Sequence, residues 1–208
     1  MIRCDRIFVE GQTDVVILEK LISSQAKVKI HPLGGKGNVI REFIKDVNND
    51  LESTSPPLQS GNVCYIVDGD GEGYEGVYNN LLVRTRSDLI KEPPYIKRCV
   101  GNLCRVLIVI GEESNGYRGC MESMLWNELS AKMDKDLSDI VDNIVKYKAR
   151  RSTLTLCDEA KMRFFMAIFL LSNDPTTLYL TKNFVDELLE IVGIVKIRNI
   201  YEKFLDLS

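Results

Sequence analysis

Along the first 130 residues the apolar positions switch repeatedly between two periods. Arg6-Ile7-Phe8-Val9 is a short apolar run closed by Glu10-Gly11, after which Val15, Leu18 and Ile22 recur at helical spacing. This predicts a strand, a tight turn and a helix. The unit repeats: Val28 to Leu33 reads as a second strand, followed by Gly34-Gly35-Lys36-Gly37-Asn38 and a helix carrying Ile40, Phe43, Ile44 and Val47. A Ser-, Thr- and Pro-rich stretch at 51–61 predicts a surface loop before a third strand, Val63 to Val67, which breaks at Asp68-Gly69-Asp70-Gly71-Glu72-Gly73. A third helix is expected over 74–89, a long strand over 104–110 and a fourth helix over 120–133. Strands alternating with helices predict parallel βαβ units in a sheet covered on both faces, a three-layer, Rossmann-like α/β architecture.

Beyond Asp134 only the helical period persists, in Leu137, Ile140, Val141 and Ile144, in Ala160 to Leu171, in Phe184, Leu188 and Ile191, and in Ile197, Tyr201 and Phe204. The expected organisation is therefore an α/β domain at 1–130 and a C-terminal α-helical extension at 131–208. Helices this apolar cannot stay solvated, so the extension should pack on the domain through Phe165, Ile168, Phe169 and the Phe184/Leu188/Ile191 stripe.

Composition changes this picture in three places. With 45% apolar and 27% charged residues among 208, the chain can build its own core. A net charge of -3 gives no global attraction to a phosphate backbone, so nucleic-acid affinity must come from a local basic face or a bound cation. The six cysteines include no C-x-x-C pair and several sit in apolar runs, which predicts buried free thiols in a reducing compartment. The first residues carry no signal-peptide pattern, and the apolar run Phe164 to Leu171 is too short for a membrane span. The expectation is a cytoplasmic protein with no membrane partner.

The chemistry concentrates at strand ends, where open parallel sheets gather their functional groups. Glu10 closes the first strand and Asp68 the third, and in extended chain Asp68 and Asp70 project to the same side. If strands one and three are neighbours, three carboxylates converge. Two such charges about 4 Å apart repel by about 4 kcal/mol at an effective dielectric near 20, and a hard divalent cation relieves this. All-oxygen donors suit Mg²⁺ or Mn²⁺ better than zinc. Read as local structure, the same acids are helix-dipole partners and the Asp-Gly runs are turns.

Phe8-Val9-Glu10-Gly11-Gln12-Thr13-Asp14 resembles the glutamate motif of Toprim domains, and Ile66-Val67-Asp68-Gly69-Asp70 resembles their D-x-D motif. His31-Pro32-Leu33-Gly34-Gly35-Lys36-Gly37-Asn38 is similar to the Gly-Gly-Lys segment of small stand-alone Toprim-like proteins related to the OLD nucleases, and Gly119 to Leu125 to the glycine-x-x-glutamate helix start of those relatives. The resemblance spans about residues 7–129 and leaves out the extension. It implies metal-dependent phosphoryl transfer on DNA or RNA, that is, cleavage or processing of nucleic acid. By it, Glu10 would be metal ligand or general acid/base, Asp68 and Asp70 metal ligands, and Asp14 and Glu122 further ligands of Mg²⁺ or Mn²⁺. Lys36, presented by Gly34 and Gly35, would meet a phosphate and assist catalysis.

Other residues rank lower. His31 reads as a packed or surface imidazole, and Glu112-Glu113 as a solvated loop at the end of the fourth strand. Lys146, Lys148, Arg150, Arg151, Lys161 and Arg163 form a basic stretch that either guides a nucleic-acid backbone or is a solvated helix face. Two alternatives to a nuclease stay open: a non-catalytic module that binds metal and phosphate and engages a partner protein or nucleic acid, and a phospho-acceptor pocket like that of response regulators.

Overall fold

A computed structural model describes residues 2–22, 27–52, 62–86 and 88–207. Its strands are β1 (Arg6–Val9), β2 (Lys29–Pro32), β3 (Val63–Asp68), β4 (Ile90–Glu92), β5 (Tyr95–Val100) and β6 (Leu103–Ile110). They form one mixed sheet in the order β2-β1-β3-β6-β5-β4. Strands β2, β1, β3 and β6 run parallel, whereas β5 pairs antiparallel with β6 and β4 antiparallel with β5.

The antiparallel edge departs from the all-parallel expectation, and the helix expected over 74–89 is also shorter than expected. Helix α3 (Gly73–Leu82) stops early, and Pro93-Pro94, which cannot continue a helix, sits in the turn of the β4–β5 hairpin. Strand β5 is only half-buried and β4 fully exposed, so neither shows the continuous apolar run of a central strand. Charged Lys91 and Glu92 keep that edge from pairing further. The loop expected at 51–61 lies outside the described residues except for 51 and 52, which belong to helix α2 (Lys36–Glu52).

The pleat of the central strands divides the interior. Val63, Tyr65 and Val67 of β3 with Leu107 and Val109 of β6 face α2 and α3, meeting Val39, Phe43, Val47, Tyr74, Val77 and Leu81. The intervening Cys64, Ile66, Val106, Ile108 and Ile110 face the other way, against α1 (Gln12–Leu21), α4 (Met121–Ser130) and the later helices. Those are α5 (Lys135–Ala149), α6 (Leu156–Leu171), α7 (Thr181–Leu188) and α8 (Ile194–Tyr201), with a π-helical turn, Leu189–Gly193, between the last two. Helices α2 and α3 thus cover one face of the sheet, and α1, α4 and the extension the other.

Phe164, Ala167, Ile168, Phe184, Val185, Leu188 and Ile197 are buried in the same cluster as Cys64 and Ile108, so extension and sheet share one core. Leu205 pairs with Ile2, and the Tyr95 hydroxyl donates to the Phe204 carbonyl at 3.0 Å. Phe165 and Phe169, expected in this interface, are instead 47% and 54% exposed, because α6 turns the neighbouring Phe164 and Ile168 inward.

The cysteines also depart from expectation. Cys4 is bonded to Cys64 and Cys99 to Cys104, with Cα atoms 5.9 and 4.1 Å apart. Strand pairing makes these bridges: Cys99 and Cys104 are directly opposed in the β5–β6 register, and the segment before β1 runs beside β3. Four of the six cysteines are therefore bridged and not the free thiols expected of a reducing compartment. Cys120 and Cys157 are free and buried. Among the described residues no helix is long and apolar enough to cross a membrane.

Candidate metal centre

Strands β1 and β3 are parallel neighbours, with Phe8 opposite Tyr65, so Glu10 and Asp68 emerge at the same end of the sheet. They are directly linked: the Asp68 backbone N–H donates to Glu10 Oε1 at 2.9 Å. One turn into α1, Asp14 Oδ2 accepts the Gly11 N–H at 3.0 Å, so it caps its own helix while facing the same space. Glu122 arrives from the first turn of α4. Its approach depends on two glycines. A Cβ on Gly69 would lie 1.7 Å from the Tyr117 carbonyl oxygen and one on Gly111 2.3 Å from it, so only glycines let the β6–α4 loop close over the end of β3. Reciprocal 2.9 Å hydrogen bonds between the Asp70 and Gly119 backbones then fix that loop.

A fifth group comes from the extension. Lys161 of α6 places Nζ 2.9 Å from Asp68 Oδ2. Glu10, Asp14, Asp68, Glu122 and Lys161 line one cavity of about 280 Å³, with Phe165 and the buried ring of Tyr201 in its walls. Ligand atoms of Asp68, Glu122 and Cys120 all lie within 4.8 Å of one another, a spacing that can hold a metal ion. The Cys120 thiol stands beside Glu122 and acts against the rise of its carboxyl.

Four carboxyls and one ammonium leave the cavity short of positive charge, and the titration of the acids reflects it. Burial, then the charge of Asp68, raises Glu10 to about 7. Burial also raises Asp14 to about 6, with Asp68 and Glu122 adding repulsion. Asp68 and Glu122 are raised as well, chiefly by desolvation and with Lys161 acting against it. For Lys161 burial works to lower the ammonium, but Asp68, Glu122 and Glu10 prevail and hold it protonated.

The remaining sequence candidates do not line this cavity, although Asp70 is near enough for its charge to act on Asp68. Asp70 adopts a left-handed backbone (φ 47°), so the extended alternation that would align it with Asp68 does not apply. Its carboxylate accepts from Lys36 Nζ at 3.0 Å, and Lys36 also pairs with Glu72 at 2.6 Å. Lys36 is thus held by two carboxylates. The N–H groups of Gly34 and Gly35 both donate to the Glu10 carbonyl at 2.9 Å, supporting the end of β1. None of Asp70, Lys36, Gly34 and Gly35 lines the acidic cavity. His31 is exposed and packs near the Phe8 ring.

Lys161, Cys120 and Tyr201 are the residues sequence reasoning missed at this site. Lys161 was visible only as part of a basic stretch, and the structure scatters that stretch. Arg163 is paired with Asp142 and Glu159, while Lys146, Lys148, Arg150 and Arg151 are exposed near the end of α5. No family model matches the chain, and neither does any curated protein or any solved structure.

Proposed function

We propose that the chain performs metal-dependent cleavage or processing of nucleic acid, through a Toprim-like centre in which Asp68 and Glu122 hold Mg²⁺ or Mn²⁺ and Glu10 stands beside them. The observation that carries this reading is the convergence of four carboxyls from β1, α1, β3 and α4 on one cavity with a single ammonium among them. The donor set fits a hard cation: carboxylates dominate and no histidine takes part. A divalent ion bound there would polarise a phosphate and lower the pKa of a water.

The chain's own groups then have distinct parts. Glu10, raised to about 7, can take up and release a proton at neutral pH, which suits it as general acid/base. Asp14 couples the first turn of α1 to the cavity, and Lys161 presents a fixed positive charge where a phosphate would enter. The Lys161–Asp68 pair also favours a second reading, in which the site binds metal and phosphate without cleaving, since one acid already has a counter-ion.

The test is cleavage of single- and double-stranded DNA and RNA with Mn²⁺, Mg²⁺ or EDTA. Activity should require the ion, vanish in Glu10→Gln and Asp68→Asn, and change little in Lys36→Ala. Mn²⁺ binding without cleavage of any substrate would leave the binding reading. Absence of both would remove the metal centre.

A further inference from the structure

We infer that the cleft on the other flank of α6 is a nucleotide-binding subsite, in which Trp126 stacks on a base and Arg118 takes the adjoining phosphate. This deepens the nucleic-acid reading above. The cleft measures about 610 Å³, a size ordinary for a small organic ligand, and is larger than the acidic cavity. It lies between the β6–α4 loop, α4 and α6, and Trp126, Leu156 and Ala160 give it an apolar side.

Its two arginines are not equivalent. Arg163 has Nε on Asp142 at 2.9 Å and Nη2 on Glu159 at 3.5 Å, so its charge is met within the protein. Arg118 makes no ion pair among the described residues, although its position is fixed. Its N–H donates to Asn115 Oδ1 at 3.0 Å, its carbonyl accepts the Glu112 N–H at 3.0 Å, and its stem crosses Gly73, where a Cβ would come within 2.8 Å of Arg118 Cγ. An unpaired guanidinium on a fixed stem beside an aromatic wall calls for a ligand that is both planar and anionic. Trp126 is half-buried, packed on the core while also lining the cleft, so a simple anion would use Arg118 alone and an apolar ligand only the Trp126 side. A nucleotide uses both, since bases stack on aromatic rings and guanidinium binds phosphate through two parallel hydrogen bonds. Glu112 at the rim offers an acceptor to the exocyclic amine of a base.

The neighbourhood points the same way. Cys157 lines the cleft and is buried beside Cys120, whose sulfur lies within 4.8 Å of the ligand atoms of Asp68 and Glu122. Ala160 faces the cleft while Lys161, the next residue, faces the acids. The two cavities therefore share a wall, and a nucleic-acid ligand accounts for both.

Trp126 is the only tryptophan beside eight tyrosines, so emission excited selectively at the indole reports on this cleft. Titration with cytidine 5′-monophosphate in EDTA should give a saturable change, with Arg118→Ala raising the dissociation constant by about tenfold or more through loss of the paired charge-assisted hydrogen bonds. Arg118→Lys should fall between them, cytidine should bind more weakly, and inorganic phosphate should not alter the emission. Arg118 is exposed, so the variant should melt with the wild type. No saturable change with the nucleotide, or identical titrations for wild type and Arg118→Ala, would overturn the subsite. Because the titration excludes metal, its outcome is independent of whether the acidic cavity binds Mn²⁺.

Discussion

Glu10→Gln tests the electrostatic account of the acidic cavity most directly. The glutamine keeps the shape and the oxygen that accepts the Asp68 N–H, and removes only the ionisable proton. In the wild type the folded-state carboxyl titrates at about 7 against an ordinary value of 4.5, so the native state holds this proton more tightly than the unfolded chain does. Stability from this group is then fully present below about pH 4.5 and is lost as pH rises through about 7, because the slope of stability with pH follows the difference in bound protons. A shift from 4.5 to about 7 corresponds to at most about 3 kcal/mol of native-state penalty once the group is ionised. Glu10→Gln should therefore stabilise the metal-free protein near pH 8 by up to about 3 kcal/mol, or roughly 6–12 °C for a chain of this size, and by well under 1 kcal/mol near pH 4.5. The assay is a pair of thermal or urea melts in EDTA at the two pH values. A variant that is equally shifted at both, or destabilised at the higher pH, would refute the claim that Glu10 is a destabilising charge awaiting a cation.

Three further outcomes follow from the same geometry. Lys161→Met leaves Asp68 without its counter-ion and removes the one ammonium in the cavity, so the metal-free variant should melt lower and Mn²⁺ should raise its melting point by more than that of the wild type; titrated thermal shifts measure both. Phe164→Ala opens a cavity in the core shared by sheet and extension and should cost about 3–5 kcal/mol in urea unfolding, whereas Phe169→Ala, at a half-exposed position, should cost far less. Denatured without reductant, the protein should expose two alkylatable thiols, Cys120 and Cys157, against six after reduction, as counted by mass spectrometry.

Much of the fold was legible because burial imposes a period. Ile7 and Val9 before Glu10, the unbroken run through β3 and β6, and the Ile40/Phe43/Ile44/Val47 spacing of α2 each declare an element, since backbone geometry decides which side chains share a face. The same local chemistry placed Glu10 and Asp68 at strand ends. What the chain could not declare was anything set by contacts between distant segments. The antiparallel β4–β5 edge has short, half-solvated strands without a strong period, and the Cys4–Cys64 bridge depends on β1 lying beside β3. Asp70 is two residues from Asp68, yet a left-handed turn and the pull of Lys36 take it out of the cavity. Lys161 is 93 residues away and enters it, because the core shared with α6 holds that helix against the carboxyl ends of the strands. Sequence determined which acids stand at the ends of strands; only tertiary packing decided which of them face one another and which cation joins them, because Coulomb interactions depend on distance through space and not on separation along the chain.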